Sequence, residues 1–315
     1  MKIMAKIAIA GAGAMGSRFG YMLQKAGNDV ILMDNWEQHV ETINEKGLTV
    51  DDNGQTQVIQ IPAMAPRAVK EVQDLVILFT KTMQLKTMLE DIKGTIGKNT
   101  AVLCLMNGLG NVDVIEQYVK KQHIIVGVTL WTSELVGPGH ISFTGSGSIG
   151  LQNIDPREQD RAAKVVSLLN AAGLNATLST DVTTDIWKKA CVNGTLNSLC
   201  TLLDCNIEEF GQLKEAPQMA REILNEFAAV AKLENVTIDV DEILTSLQKL
   251  GDTSQAGAHY PSMHQDLIQH HRKTEIDFLN GYVAKKGKAN GIATPYNTLV
   301  TQLVHAKEQI LVEDK

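Results

Sequence analysis

"KIAIAGAGAMGSRFGYMLQKAGNDVILMD", residues 6–34, opens with an apolar run from Ile7 to Ala10 and passes directly into Gly11, Gly13 and Gly16, spaced G-x-G-x-x-G. Phe19, Met22, Leu23 and Ala26 then recur at helical spacing, and Gly27 stands at a C-cap position. A second apolar run, Val30 to Met33, ends on Asp34. A glycine turn alone says little. Between a strand and a helix, with an acidic residue about twenty positions on, it marks a dinucleotide site. The first glycine permits a tight turn, the second lets a pyrophosphate approach the backbone, and the third lets helix pack on sheet. The helix start at Ala14 and Met15 offers unpaired N–H groups and a positive dipole end to the phosphates. Gly11, Gly13, Ala14, Met15 and Gly16 are therefore the expected cofactor contacts.

Asp34 bears on which dinucleotide is bound. A carboxylate at the end of the second strand accepts hydrogen bonds from ribose hydroxyls and repels a 2′-phosphate. Asn35 and Trp36 follow, with no Arg or Lys nearby. NAD is expected over NADP. The plainer alternative is that Asp34 caps the helix beginning in "DNWEQHV".

Working outward, "DLVILFTK" (74–81) and "TAVLCLMNG" (100–108) are continuous apolar runs, as expected for parallel strands buried on both faces. Each ends in polar residues, Thr80 and Lys81 in one and Asn107 and Gly108 in the other, at the sheet edge where ligands bind. Further strands are expected at "HIIVGVTLW", "HISFTG" and "GSIGLQ". From Asp181 the pattern turns helical in five segments separated by Gly, Pro and Asp/Asn clusters. The expected class is α/β: a Rossmann-type doubly wound sheet domain over residues 1–178, followed by an all-helical domain over 179–315. A cleft between two such domains is where a small substrate is expected.

Composition excludes several function classes. The 315 residues are 44% hydrophobic and 21% charged with a formal net charge of −7, which argues against nucleic acid or an anionic membrane as partner. The four cysteines form no CxxC pair, which fits buried thiols in a reducing compartment, hence the cytoplasm. "MKIMAKIAIAGAGA" resembles a short leader, but its apolar run is too short and reads better as the first strand. His259, His264, His270 and His271 lack an H-x-x-x-H pair with a suitably placed acid, and no metal is expected.

In the helical half, "DIWKKACVNGTLNS" (185–198) places Lys189, Asn193 and Asn197 four residues apart, which on a helix makes one stripe of an ammonium and two amides. Asn is a poor helix former, so two of them one turn apart call for a reason beyond a solvated face. Reducing a 2-oxo acid needs a hydride, a proton for the developing alkoxide, and donors where that charge grows. The stripe supplies the last two. A carboxylate should position the ammonium, with Glu275 in "RKTEIDFLNGYV" the best candidate and Asp277 its rival.

These pieces together resemble the ketopantoate reductase (2-dehydropantoate 2-reductase) family over nearly the whole chain. The matching stretches are "GAGAMG", Thr80–Lys81, Asn107–Gly108, "WKKACVNGTLN", "SMHQD", "TEIDFLNGYV" and "GIATPYN". The resemblance implies Lys189 as general acid with Glu275 as its partner and a substrate contact. It implies Asn193 and Asn197 on the substrate's oxygens, Ser262 on its carboxylate, Asn107 bridging cofactor and substrate, and Lys81 near the cofactor. Asn206 falls on a further family asparagine, although the usual following glycine is Ile207 here.

Two departures shape the reading. NADP-using members place an Arg where this chain has Asp34 and Asn35, and small residues are usual where "VTLWTSEL" carries Trp131. The expected activity is an NAD-dependent D-2-hydroxyacid dehydrogenase taking 2-oxo acids branched or aromatic at C3, of the mandelate/benzoylformate kind. The alternative is an NADPH-dependent 2-dehydropantoate 2-reductase of pantothenate biosynthesis. β-Hydroxyacid dehydrogenases share the Lys and Asn spacing but usually begin that helix with glycines, absent from "TTDIWKK". A nucleotide sensor would keep the glycine turn without needing both Lys189 and Glu275. A homodimer through the helical half is the expected assembly.

Overall fold

β1 (Lys6–Ala10) runs into the glycine turn, and α1 (Ala14–Lys25) returns the chain to β2 (Asp29–Met33), parallel to β1. The structure, a computed structural model, describes residues 4–252 and 258–313. Residues 1–3, the start of the leader-like run, lie outside it. Two compact units are present, Met1–Asn107 with Asn111–Val182, and Gly108–Gly110 with Thr183–Lys315.

In the first unit, α2 (Glu37–Lys46), β3 (Leu48–Asp52), β4 (Gln55–Ile59) and β5 (Ala63–Met64) follow β2, and then come β6 (Leu75–Leu78) and α3 (Leu85–Asp91). The unit continues through β7 (Ala101–Cys104), α4 (Asn111–Ile115), β8 (Ile124–Thr129), β9 (Glu134–Gly137), β10 (His140–Phe143), β11 (Ile149–Asn153), α5 (Gln159–Ala171) and β12 (Ala176–Leu178). Among the described residues the main sheet has eight strands in the order β12-β11-β8-β7-β6-β1-β2-β5. β5 to β8 along this order are parallel, and β11 turns antiparallel to β8. The strand order reverses between β1 and β6, the switch point at which doubly wound sheets bind ligands.

β6 and β7 are fully buried, which explains their unbroken apolar sequences. "HISFTG" forms the expected strand, but outside the main sheet. β10 belongs to a separate four-stranded sheet, β4-β3-β10-β9, and its burial alternates along the strand as in a sheet with one wet face. The β3–β4 hairpin was also missed, although Asn53 (φ 50°) and Gly54 (φ 82°) form the Asn-Gly turn that favours one.

The second unit is helical: α6 (Val182–Leu203), α7 (Ile207–Gly211), α8 (Ala216–Ala231), α9 (Val240–Asp252), α10 (Ser262–His264), α11 (Asn280–Ala289) and α12 (Pro295–Glu308). α6 is its axis, burying Trp187, Cys191, Leu196 and Cys200 in a core shared with Phe227 of α8 and Val283 of α11. Removing a side chain as large as Trp187 from such a site costs about 3–5 kcal/mol. The stretch 262–291, expected to be one helical segment, is broken. A π-helical turn over Gln265–Gln269 ends at His270, His271 is left-handed (φ 50°), and a 3-10 turn over Ile276–Phe278 precedes α11. Gln269 to Lys273 are all exposed, so no apolar face holds this part of the chain helical. Among the described residues no helix is long and apolar enough to cross a membrane.

Candidate active site

The glycine turn is shaped for close approach. A Cβ on Gly11 (φ +97°) would lie 2.5 Å from the backbone nitrogen of Thr80, and one on Gly16 would lie 1.9 Å from the Gly11 carbonyl oxygen. The turn therefore sits against the end of β6, and α1 against the turn, as only glycine allows. Gly13 differs, because a Cβ there would meet nothing within 4 Å. Gly13 is also the N-cap of α1, so no side chain caps the first turn that Ala14 and Met15 begin. Open room beside an uncapped helix start is a fitting cradle for a dinucleotide pyrophosphate.

Asp34 is tied into the same turn. Its Oδ2 accepts the backbone N–H of Ala12 over 2.8 Å and its Oδ1 that of Trp36 over 2.9 Å. His39, one turn into α2, lies buried nearby. Its Nδ1 accepts the N–H of Gly139 over 2.9 Å, and its ring stacks on Trp36 at 5.1 Å between centroids. Burial lowers the His39 pKa below its ordinary 6.5, outweighing the pull of Asp34, so the ring is neutral at pH 7. The carboxylate thus has no cationic neighbour in His39.

Thr80 is buried, with its hydroxyl 3.4 Å from Gln84 Oε1. Lys81 follows it and is half-buried. The Asn107 carbonyl accepts hydrogen bonds from Thr82 Oγ1 and Asn111 Nδ2, both at 3.0 Å, which fixes the backbone where β7 ends. Trp131 belongs to the core: its Nε1–H donates to the Leu174 carbonyl over 2.9 Å and its ring lies under the Arg18 guanidinium. Packing accounts for its bulk, so Trp131 carries no argument about the substrate.

In the helical unit, Lys189 and Asn193 are half-buried on α6 and Asn197 is buried. The Nδ2 of Asn197 lies 3.4 Å from Ser262 Oγ at the start of α10, which brings together two of the expected substrate contacts. Desolvation lowers the Lys189 ammonium from 10.5 to about 8. A group that trades its proton near neutrality is suited to general acid–base work. Glu275, half-buried, precedes the 3-10 turn and its carbonyl accepts the Phe278 N–H over 3.0 Å. Its rival Asp277 is exposed and paired with His305 Nε2 at 3.1 Å. Asn206 is the N-cap of α7. Its side chain accepts the Glu209 N–H over 2.8 Å, while Glu209 returns a bond to the Asn206 N–H over 2.8 Å. That capping box gives Asn206 a structural reason to be there.

α6 is anchored just before Lys189. The Glu234 carboxylate accepts Trp187 Nε1–H over 2.9 Å and Tyr282 O–H over 2.8 Å, and Lys286 pairs with it as well. Burial works to raise the Glu234 pKa, but these donors outweigh it and hold the group below its ordinary value. Neither this cluster nor His39 was foreseen from the sequence, since their partners are remote along the chain. Among the described residues, no group of three or more His, Cys, Asp or Glu could hold a metal ion. His264 instead places Nε2 2.8 Å from Asp204 Oδ1.

Comparison with known proteins covers both units. Residues 7–156 match the family described as ketopantoate reductase PanE/ApbA, and residues 181–308 match its C-terminal counterpart. The 2-dehydropantoate 2-reductase of Streptococcus pyogenes serotype M6 is 52% identical over 304 residues, covering 96% of this chain and 98% of that protein. The 2-dehydropantoate 2-reductase of Lactococcus lactis subsp. lactis is 50% identical over 308 residues, covering 97% and 99%. The ternary structure of D-mandelate dehydrogenase with NADH and anilino(oxo)acetate superposes with a TM-score of 0.95 at 49% identity, covering 97% of this chain and 99% of that one.

Proposed function

The chain belongs to the ketopantoate reductase family, and on that premise we propose that it reduces a 2-oxo acid, branched or aromatic at C3, to the D-2-hydroxy acid with NADH as preferred reductant. It is an NAD(P)-dependent oxidoreductase acting on a 2-oxo or 2-hydroxy acid. The observation that carries the cofactor reading is Asp34. Backbone amides hold both its oxygens, its neighbour His39 is neutral, and no Lys or Arg occurs between it and Lys46. Such a carboxylate suits ribose hydroxyls and opposes a 2′-phosphate. The likeness to a D-mandelate dehydrogenase bound to NADH and anilino(oxo)acetate supports an aromatic 2-oxo acid.

In this reading Gly11, Gly13, Ala14, Met15 and Gly16 cradle the pyrophosphate, with Thr80, Lys81 and Asn107 further along the same sheet edge. A dinucleotide held there would supply the hydride that the substrate's carbonyl carbon requires. Lys189 gives its proton to the oxygen as negative charge develops there, and Glu275 orients the ammonium. Asn193 and Asn197 donate hydrogen bonds to the substrate's oxygens, and Ser262 holds its carboxylate. A donor set aimed at the developing alkoxide stabilises the transition state more than the ground state.

The two curated relatives favour a second reading, an NADPH-dependent 2-dehydropantoate 2-reductase serving pantothenate biosynthesis. Steady-state kcat/KM with NADH and NADPH, over benzoylformate, C3-branched 2-oxo acids and ketopantoate, decides between them. A strong NADPH preference defeats the cofactor proposal, and ketopantoate as the fastest substrate defeats the substrate proposal.

A cytoplasmic homodimer completes the proposal. Cys104, Cys191, Cys200 and Cys205 are all free thiols, in keeping with a reducing compartment. Tyr296, Leu299 and Leu303 form an exposed apolar edge on α12, 47%, 54% and 46% accessible, on which a second copy would pack. A monomeric mass by light scattering would remove the dimer.

A further inference from the structure

The asparagines of "TEIDFLNGYV" and "GIATPYN", Asn280 and Asn297, have no part in the chemistry above, yet both are completely buried. Asn280 begins α11 and uses both N–H bonds of its amide. One goes to the carbonyl of Gly194 in α6 and the other to Asn297 Oδ1, each over 3.0 Å. The Asn297 amide donates in turn to the Ile223 carbonyl (3.2 Å) and to Glu226 Oε2 (2.7 Å) on α8. The same carboxylate accepts the backbone N–H groups of Tyr296 (2.9 Å) and Asn297 (2.8 Å), where the dipole of α12 favours negative charge.

The chain of donors has one possible sense. A carbonyl at one end and a carboxylate ringed by N–H groups at the other are both acceptors, so neither amide between them can flip without leaving two acceptors face to face. Gly194 stands between Asn193 and Asn197, five residues beyond Lys189. Its carbonyl also accepts Ser198 Oγ–H over 2.5 Å. A Cβ there would meet Phe227 Cζ at 2.5 Å, so α8 presses on the same turn of α6. Apolar contact alone lets a helix rotate or slide by fractions of an ångström, whereas a directional chain of donors selects one arrangement, even though Asn280 Oδ1 itself has no partner among the described residues.

We propose that Asn280 is a positioning residue for the reduction: through the Gly194 carbonyl it fixes the rotation and register of the α6 turn that carries Asn193 and Asn197, and with it Lys189. The inference rests on the reading of α6 given above. Displacement of reacting groups by about 1 Å costs on the order of 100-fold in rate.

The test uses full-length Asn280→Ala and Glu226→Gln with the fastest 2-oxo acid of the panel, measuring kcat, both KM values, NADH affinity by fluorescence, and thermal unfolding. Expected is a fall in kcat of about 10- to 100-fold for Asn280→Ala, and a smaller one for Glu226→Gln, at temperatures well below unfolding. NADH affinity stays at the wild-type value in both. A purely structural asparagine would lower the unfolding temperature and leave kcat per folded enzyme unchanged, which overturns the proposal. If Asn280→Ala does not fold, Glu226→Gln decides alone: reduced kcat with unchanged NADH affinity supports the role, and wild-type kcat removes it. Lys189→Ala separates the two levels. Retained turnover there defeats the reading of α6 itself, whereas lost turnover there beside a normal Asn280→Ala defeats only the positioning.

Discussion

The backbone N–H of Ala12 donates to Oδ2 of Asp34 over 2.8 Å, so the carboxylate that closes β2 is pinned to the glycine turn. A pinned carboxylate cannot swing away from a 2′-phosphate. Asp34→Ala removes both the ribose acceptor and the repulsion. It is expected to lower kcat/KM with NADH by about 10- to 100-fold, the worth of hydrogen bonds to a charged group, while activity with NADPH falls less or rises. An NADH-to-NADPH ratio unchanged from wild type would show that Asp34 serves only the turn.

Lys189 gives the pH dependence its sign. With an ammonium pKa lowered to about 8, the proton needed for reduction is present below that pH and lost above it. The kcat for 2-oxo acid reduction should decline as pH rises through about 8, and oxidation of the 2-hydroxy acid should rise through the same region. Lys189→Ala should abolish both limbs and leave NADH binding intact. A flat reduction profile from pH 7 to 9 in an enzyme limited by chemistry would remove Lys189 as the acid.

The same shift predicts a stability effect of opposite direction. The folded-state pKa of about 8 lies below the ordinary lysine value of 10.5, so between these limits the unfolded chain holds the proton that the native chain has shed. Stability then rises with pH across that window, and below about pH 8 the full cost of burying the charge is present. Lys189→Met should unfold at a higher temperature than wild type at pH 7, with the difference shrinking toward pH 10. An equal difference at both ends would place the effect in packing.

What the sequence disclosed and what it hid divide along a physical line. Gly11, Gly13, Gly16 and Asp34 were legible because the backbone conformation and the phosphate approach impose residue types at fixed local spacing. β6 and β7 were legible because burial on both faces leaves no polar position. The break between Gln269 and Lys273 was hidden, since Ile268, Ile276, Leu279 and Val283 keep a helix-compatible spacing across it. The pairing of Asn280 with Gly194 spans 86 residues, and that of Trp187 with Glu234 spans 47. No periodicity reports such partners. The second sheet was missed for another reason, as β3 and β4 carry too many polar residues to stand out even though Asn53-Gly54 marks their turn.

Arg18 supplies the last prediction. It is 2% exposed, with its guanidinium carbon 4.3 Å from the Trp131 ring centre and 3.8 Å from that of Phe143. Its Nη2 donates to the Gly145 carbonyl over 2.9 Å and its Nη1 to the Thr132 carbonyl, so α1 is stapled to the loops flanking β9 and β10. Burial lowers its pKa to about 10 and Asp52 partly opposes the shift, which leaves the group charged at neutral pH. Two charged hydrogen bonds and a desolvated cation–π contact together are worth about 5–8 kcal/mol, against which the cost of burying the cation is set. Arg18→Met should therefore destabilise the first unit, because the carbonyls of Thr132 and Gly145 lose their charged donor. Arg18→Lys should not rescue it, since a point-like ammonium cannot serve both carbonyls while stacking between two rings. Urea unfolding followed by tryptophan fluorescence measures both variants. A lysine variant as stable as wild type would mean that charge alone, and not the planar fork, holds α1 in place.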